Sequence, residues 1–475
     1  MKTTRFELAA WTVSLLGLGY LLQGPLVGTT SFIGDTIHHE FPFFFFFAEN
    51  LINGVLPLWN PYIHGGEPFY FLWGHKQFLE PCTLFTIFVG QIFTKNLLLL
   101  FTWRHLFQCL VMQVGVYWVL RSVTKNFFIR FCLILILCFS SFNIVTFVQP
   151  GTLYWFMWTP YIYLLLERLR SNPKELWPWP VLVSFCGLQL QGLWFVGLSL
   201  FLGLYLGVLF FEDMKLLINL KKRRHFIPLV GMGLIILTCM ALPNLSLWKE
   251  QSDYVFPVRI FDEDYFTQES LEQPKGIHLS YREASGGSFS DTFSFLHLIY
   301  PVPWGLRGSE VIICPGLMTW LVALAGVFLG RDRRKKFWLL VLLVFPLLML
   351  GPGGGLHPLL SFLLPVTRFM RHSSQYVLFV FFAILYFFVL GANWLLEQRK
   401  VSVKWNWVAA TATVFTLLGV YAFKWDPRTY VWVAPALVSC FIFAWWNRNR
   451  VGAVSLWIGC CMAHLLAVCF WVGDR

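Results

Sequence analysis

Long apolar segments recur along the whole chain, and this pattern constrains the fold more than any other feature. Segments of roughly 17–25 residues, the length that a helix needs to cross a bilayer, recur from residues 8–27 as far as the apolar stretch at 463–471. Hydrophobic residues make up 57% of the 475 positions and charged residues 13%, which is more apolar surface than a soluble core can bury. The sequence therefore predicts an all-α polytopic membrane protein, with about 13 transmembrane helices in one domain spanning residues 1–475.

Short loops rich in Lys and Arg indicate the topology, because loops of this kind stay in the cytoplasm. They lie at residues 121–130, 168–174, 215–224, 331–336, 399–404 and 448–450. A cytoplasmic N-terminus puts all of them on one side, provided that residues 179–211 form a tight hairpin of two helices. The first apolar segment lacks a small-residue cleavage site, so we interpret it as a retained helix. The net charge of +12 is then mostly a topology signal and an attraction to anionic membrane lipids, and it gives no reason to expect a nucleic acid partner.

Three long or polar segments are predicted on the opposite, extracytoplasmic side. They are residues 29–82, 244–310 and 351–375, and they hold most of the acidic residues and of the Gly and Pro turn signals. Long ordered loops between membrane helices usually carry function. Any chemistry should therefore take place on this face.

The chain that follows the first loop contains one short apolar piece and one full span. Residues 84–93 are too few to cross a bilayer, so we expect this piece to be re-entrant or to lie on the membrane surface. The next span is residues 97–120. Arg104 and His105 lie inside it, where a central Arg costs roughly 2.5–3.5 kcal/mol on insertion scales, so both should face the bundle interior or lie near the interface.

Four titratable residues stand close together at the start of the first loop: Asp35, His38, His39 and Glu40. A carboxylate beside imidazoles in a half-dry site can accept a proton from an alcohol, or can bind a divalent cation such as Mg²⁺ or Mn²⁺ together with a phosphate. The alternative is a polar collar in which Asp35 caps the following helix. The pattern leaves open whether Asp35 or Glu40 is the base.

Further along the loop, a turn-rich and aromatic stretch completes a pattern that resembles a known family. Asp35 is followed seven residues later by Pro42, then by a helical stretch, and then by Leu-Pro-Leu-Trp-Asn-Pro-Tyr at residues 56–62 with Gly-Gly and Pro after it. This pattern is similar to the N-terminal signature of the bacterial YfhO-like membrane proteins, which belong with the GT-C type of polytopic glycosyltransferases. The resemblance extends to residues 290–305 and to residues 364–371.

The resemblance implies a transferase that moves a sugar from a polyprenyl-phosphate carrier to an envelope acceptor (a polymer, a lipid or a protein) outside the inner membrane of a bacterium. Asp35 would be the general base or a metal-linked carboxylate, with Glu40 as the second candidate. The residues expected to bind substrate are His38, His39, Trp59, Asn60, Tyr62, Arg282, Arg368 and Arg371.

The two late arginines fit that role physically, because Arg stays charged at headgroup depth and can fork onto phosphate oxygens. Arg368 and Arg371 stand just before a predicted span, although an Arg at a helix end often only reaches for lipid headgroups. Two other functions stay open. A transporter or flippase would line a mid-membrane path with charges, and a non-catalytic partner in envelope assembly would need no chemistry.

Overall fold

The computed structural model describes about half of the chain. The described residues are 40–62, 67–69, 78–139, 153, 156–172, 175, 177–189, 195–212, 317–349, 356, 359–360 and 376–397, with isolated positions between 7 and 27. This part is mostly helical, at 81%, as the sequence predicts. Its elements, in chain order, are α1 Phe41–Ile52, β1 Trp59–Asn60, β2 Glu67–Pro68, α2 Pro81–Gly90, α3 Leu97–Arg121, α4 Phe127–Phe139, α5 Thr159–Ser171, α6 Pro178–Gln189, α7 Phe195–Glu212, α8 Leu317–Leu329, α9 Lys335–Met349 and α10 Val377–Glu397.

Within the described residues, α3 and α10 are long and apolar enough to cross a membrane. The 25 residues of α3 extend about 37 Å at 1.5 Å per residue, more than the roughly 30 Å hydrocarbon core. The side chain of Asn96 caps its start by accepting hydrogen bonds from the backbone N–H groups of Leu98 and Leu99. The predicted span at residues 97–120 is thus confirmed as a single helix.

Helix α10 lies at the centre of the bundle and is buried on nearly every face, which suits a helix that is apolar all round. It crosses α8 with the two backbones in close contact. A Cβ added to Gly326 would collide with the carbonyl oxygen of Phe387, and one added to Gly391 would collide with that of Val322. Small residues at such crossings let two helices pack backbone to backbone.

Aromatic side chains fill the space between α10 and the helices around it. The indole of Trp338 on α9 lies 4.5 Å from the ring of Phe382 and 5.0 Å from the ring of Tyr163, centroid to centroid. Its Nε1 donates a hydrogen bond to the Tyr163 hydroxyl at 3.2 Å. A buried indole keeps its polar N–H satisfied in this way.

Three basic loops that the sequence assigns to one side of the membrane, at residues 121–130, 168–174 and 331–336, meet at one end of the bundle, which we call the basic end. The Nη1 of Arg334, between α8 and α9, donates to the Ser122 hydroxyl after α3 at 2.8 Å. The Thr124 hydroxyl donates to the side-chain oxygen of Asn393, near the end of α10, at 2.7 Å. These contacts tie the C-terminal ends of α3 and α10 to the α8–α9 turn.

The predicted hairpin at residues 179–211 consists of two helices, α6 and α7, and residues 190–194 between them lie outside the described part. The two helices pack chiefly against different neighbours, α6 against α5 and α7 against α9. Within the described residues, these two helices therefore contact other helices more than each other.

The described residues of the predicted first loop fold against the N-terminal half of α3, at the end opposite to the basic end. Five phenylalanines pack between α1, the hairpin, α2 and α3, each with no exposed surface: Phe44, Phe47, Phe69, Phe78 and Phe101. We call them the aromatic layer. The rings of Phe47 and Phe78 stack at 4.9 Å.

Helix α2 is the short apolar piece that the sequence predicts between the loop and the span. Its 10 residues extend about 15 Å, half the hydrocarbon thickness. Phe85 and Phe88 expose about half of their surface, and Ile92 and Phe93 beyond the helix expose about three quarters. One side of α2 thus packs against α3, and the other side presents an apolar surface.

Candidate functional site

Most of the predicted site residues lie outside the described part of the chain. These are Asp35, His38, His39, Arg282, Arg368 and Arg371. Glu40, Trp59, Asn60 and Tyr62 are described, and their surroundings are given below. Asp35 stands five residues before Glu40, where the described stretch begins.

Glu40 occupies the N-cap position of α1, with helical backbone angles and no side-chain capping bond. Pro42 lies in the first turn, where proline is favoured because its missing N–H needs no partner. Glu40 therefore stands at the start of the described helix, and Asp35, which the sequence offers as a cap, lies outside the described residues. The ring of the next residue, Phe41, lies 5.5 Å from the ring of Phe101 on α3, which holds Glu40 close to the spanning helix.

Three predicted substrate-binding residues, Trp59, Asn60 and Tyr62, lie in or beside the β1–β2 hairpin, and they differ in exposure. Trp59 pairs with Pro68 and Asn60 with Glu67. The side chain of Asn60 is buried, and its Oδ1 accepts a hydrogen bond from the Tyr62 backbone N–H at 3.0 Å. This local bond makes a turn, so Asn60 shapes the loop.

Trp59 and Tyr62 are the exposed members of this set. They expose 54% and 83% of their surface, and the Tyr62 ring contacts Phe46 of α1 edge-on at 6.1 Å. Exposed aromatic rings held on an ordered hairpin are suited to stacking against a flat apolar or sugar face. Both rings are accessible to a ligand, and the hydrogen bond to Asn60 holds the turn that carries Tyr62.

A buried polar cluster lies under this loop, and the sequence interpretation did not include it as a unit. We call it the Glu80 cluster: Glu80, Thr83, Arg104 and Gln108, each with no exposed surface. Glu80 is the N-cap of α2, and its carboxylate accepts from the backbone N–H groups of Cys82 at 3.0 Å and Thr83 at 2.8 Å. It also accepts from the Thr83 hydroxyl at 3.0 Å and from Gln108 Nε2 at 2.8 Å.

Arg104 joins this cluster from the spanning helix. Its Nε donates to the Thr83 hydroxyl at 2.7 Å, so one hydroxyl links the guanidinium to the Glu80 carboxylate. The Arg104 guanidinium carbon also lies 5.7 Å from the ring centroid of Phe44 and 5.5 Å from that of Phe78, within the range of cation–π attraction. Arg104 and the buried His105 thus face the interior, as the sequence predicts.

The chemistry open to the Glu80 cluster is limited by how fully Glu80 is engaged. Four donors converge on a carboxylate with no exposed surface, which leaves it unsuited to take a proton from a substrate. The cluster instead holds α2 against α3, and these two helices support the other described residues of the first loop. Two signals in the sequence point to it: an Arg inside an apolar span requires a buried partner, and Pro81 directly after Glu80 marks a helix start.

A divalent cation would need a group of oxygen or nitrogen ligands close together. Across the residues described here, no group of three or more His, Cys, Asp and Glu side chains is placed to hold a metal ion. Asp35, His38 and His39, which the sequence offers for that purpose, are not among them.

No protein-family model, curated protein or solved structure matches this chain. The described fold and site define a mostly helical protein with two helices that can cross a membrane. A helix, a short hairpin and a second short helix pack against one of them, α3.

Proposed function

We propose that this protein is a GT-C type membrane glycosyltransferase that moves a sugar from a polyprenyl-phosphate carrier to an envelope acceptor. In this proposal it crosses the inner membrane of a bacterium about 13 times, with the N-terminus in the cytoplasm and the active site on the extracytoplasmic face. The proposal starts from the resemblance of residues 35–68 to the YfhO-like family.

The observation that carries it is the architecture of the first loop. A connector between two spans needs no internal structure, yet this loop forms a helix, a hairpin and a second, short helix around the aromatic layer. The Glu80 cluster then fixes this unit to α3. Ordered loops held on a rigid scaffold are where binding and catalytic residues concentrate.

The proposed residue roles follow from the family resemblance. The acceptor hydroxyl oxygen bonds to the anomeric carbon of the sugar, the bond from that carbon to the phosphate oxygen breaks, and the polyprenyl phosphate leaves with the electron pair. Asp35 takes the hydroxyl proton, with Glu40 as the alternative base. General-base action of this kind contributes about 10²–10⁴ in rate.

The binding roles are divided between the loop and the later chain. Trp59 and Tyr62 provide exposed rings for the sugar or the acceptor, while Arg368 and Arg371 hold the departing phosphate. His38, His39 and Arg282 are the remaining polar contacts, and a divalent cation would bind at the carboxylate and imidazole group if the reaction uses one.

The rival function of transporter or flippase expects charges along a mid-membrane path. Arg104 is the main charge inside a described span, and it is enclosed by Thr83 and two phenyl rings. This enclosed environment favours a structural role, so Arg104 does not support a charged transport path. Only a measurement of activity distinguishes a non-catalytic role in envelope assembly from the transferase function.

The test is sugar transfer by the purified protein in lipid nanodiscs. Undecaprenyl-phosphate-linked [¹⁴C]glucose, mannose and galactose serve as donors and bacterial envelope membranes as acceptor. Asp35→Asn should lower transfer by about 10²–10⁴, and Glu40→Gln tests the alternative base. Glu49→Gln is the matched control, because Glu49 is an exposed carboxylate on α1. Transfer unchanged in both the Asp35 and Glu40 variants would contradict the proposal.

A further inference from the structure

Helix α2 runs antiparallel to α3, and its contacts with α3 show how deep it reaches. At the end of α2, Gly90 lies against the side chain of Leu100, near the start of α3. At its beginning, Glu80 accepts a hydrogen bond from Gln108, which lies near the middle of α3, about 17 Å from its start. Half of the hydrocarbon core measures about 15 Å. If α3 crosses the bilayer, α2 therefore begins near the midplane and ends near the surface where α3 begins.

The start of α2 leaves no backbone N–H group that needs water, as a helix end inside hydrocarbon requires. Pro81, the first helical residue, has no N–H group. The next two N–H groups donate to the Glu80 carboxylate, and that of Leu84 donates to the Glu80 carbonyl oxygen at 3.1 Å. The carboxylate is linked through a threonine hydroxyl to Arg104 and has no exposed surface. The Glu80 cluster thus makes a buried helix start tolerable at mid-membrane depth.

The side of α2 that faces away from α3 is apolar along its whole length. Every exposed residue from the start of α2 to the turn after it is apolar: Pro81, Phe85, Phe88, Ile92 and Phe93. We call these residues the apolar stripe. A helix that lies flat on a membrane presents a polar face to water, whereas the polar side chains of α2, Thr83 and Thr86, are buried. Helix α2 therefore has no face suited to water.

The turn between α2 and α3 marks the outer edge of the apolar stripe. Lys95 is the first exposed charged residue after the stripe, and Asn96 beside it is exposed as well. A lysine at the end of a membrane segment extends its ammonium group into the headgroup region. This order, apolar and then charged, agrees with a helix that rises from the midplane to the headgroups.

We propose that α2 is a re-entrant half-helix that rises from the bilayer midplane to the outer surface, with the apolar stripe against the acyl chains of the outer leaflet. Of the two positions that the sequence leaves open, the contacts with α3 favour this one over a position flat on the surface. The proposal rests on α3 crossing the membrane and does not depend on the transferase function.

The test measures depth in the full-length protein in lipid nanodiscs. One fluorescent non-natural amino acid replaces Phe85, Phe88 or Ile92 in turn, and phosphatidylcholine carries a nitroxide quencher near either end of its acyl chain. The quencher near the methyl end should act most strongly at position 85, and the quencher near the headgroup should act most strongly at position 92. The two depths should differ by up to about 10 Å, with position 88 between them.

Lys95 is the matched control, because it is exposed in the turn after the apolar stripe. The same fluorophore at Lys95 should be quenched by iodide from the water, and the three positions in the stripe should not.

Three results would overturn the proposal. Equal depths at the three positions would mean that α2 lies flat on the membrane. Iodide quenching at all three would mean that water covers the apolar stripe, and protection from both the nitroxides and iodide would mean that protein covers it. If the variant at Phe85 does not fold, Phe88 and Ile92 provide the comparison, with an expected difference of about 6 Å.

Discussion

Removing the carboxylate of Glu80 should destabilise the protein far more than removing any exposed carboxylate. Glu80→Ala deletes the acceptor for four hydrogen bonds and removes the carboxylate that the Thr83 hydroxyl links to Arg104, in a site with no exposed surface. Loss of a helix N-cap alone costs about 1 kcal/mol. Loss of one partner from a buried charged pair costs about 3–5 kcal/mol. The two effects overlap, so we expect a total of about 3–5 kcal/mol.

Equilibrium unfolding in mixed micelles, titrated with SDS and followed by Trp fluorescence, measures this free energy. The matched control is Glu49→Ala on α1, where an exposed position should change stability by no more than about 0.5 kcal/mol. Glu80→Gln keeps the shape and loses the charge, so it should fall between the two.

A double variant separates the charge interaction from general damage to the loop. In Glu80→Ala combined with Arg104→Met, the buried guanidinium that the carboxylate offsets is removed as well, so the combined loss should be smaller than the sum of the single losses by at least about 1 kcal/mol. Additive losses, or a Glu80→Ala loss no larger than that of Glu49→Ala, would refute the role given to the cluster.

Three further predictions concern other parts of the bundle. Gly326→Ala should lower the free energy of unfolding by about 1–3 kcal/mol, the usual cost of overpacking, because its Cβ would collide with a backbone carbonyl of α10. Gly203 has open space around it, so Gly203→Ala should be neutral or stabilising in the same SDS titration. Burial alone would raise the pKa of the Asp332 carboxyl, but the hydrogen bonds and charge of Arg334 outweigh it and hold the pKa below its ordinary value of 3.8. The stability that this carboxylate contributes is therefore present above that value and is lost as the pH falls through and below it, so Asp332→Asn should show less acid destabilisation than the wild type, and equal acid sensitivity would contradict the assignment. Arg168→Ala should leave the unfolding midpoint unchanged, because exposed ion pairs contribute little, and a shift as large as that of Gly326→Ala would be inconsistent with this.

Features that depend on local pattern could be predicted from the sequence. The helix at Leu97–Arg121 and the short helix at Pro81–Gly90 follow from the lengths of two apolar runs. The inward position of Arg104 follows from the cost of placing a charge in lipid. In each case the pattern that indicates the structure lies within one stretch of chain.

Features that depend on contacts between distant segments were missed. The link from Glu80 to Gln108 joins residues 28 positions apart, and neither residue reveals its partner in the sequence. The collision that any side chain at Gly326 would make with α10 depends on how two helices cross, and periodicity does not determine that crossing. The order of the first loop likewise comes from the aromatic layer, whose five members are spread over residues 44–101.

The proposed transferase requires one outer-face site where Asp35, Arg368 and Arg371 would come together. The most direct test is an experimental structure of the protein in a nanodisc with undecaprenyl phosphate bound. We expect a phosphate oxygen of the lipid to lie within about 2.7–3.2 Å of a guanidinium nitrogen of Arg368 or Arg371. The Asp35 carboxylate should line the same lipid-open cavity. Asp35 and the two arginines facing separate surfaces would contradict it.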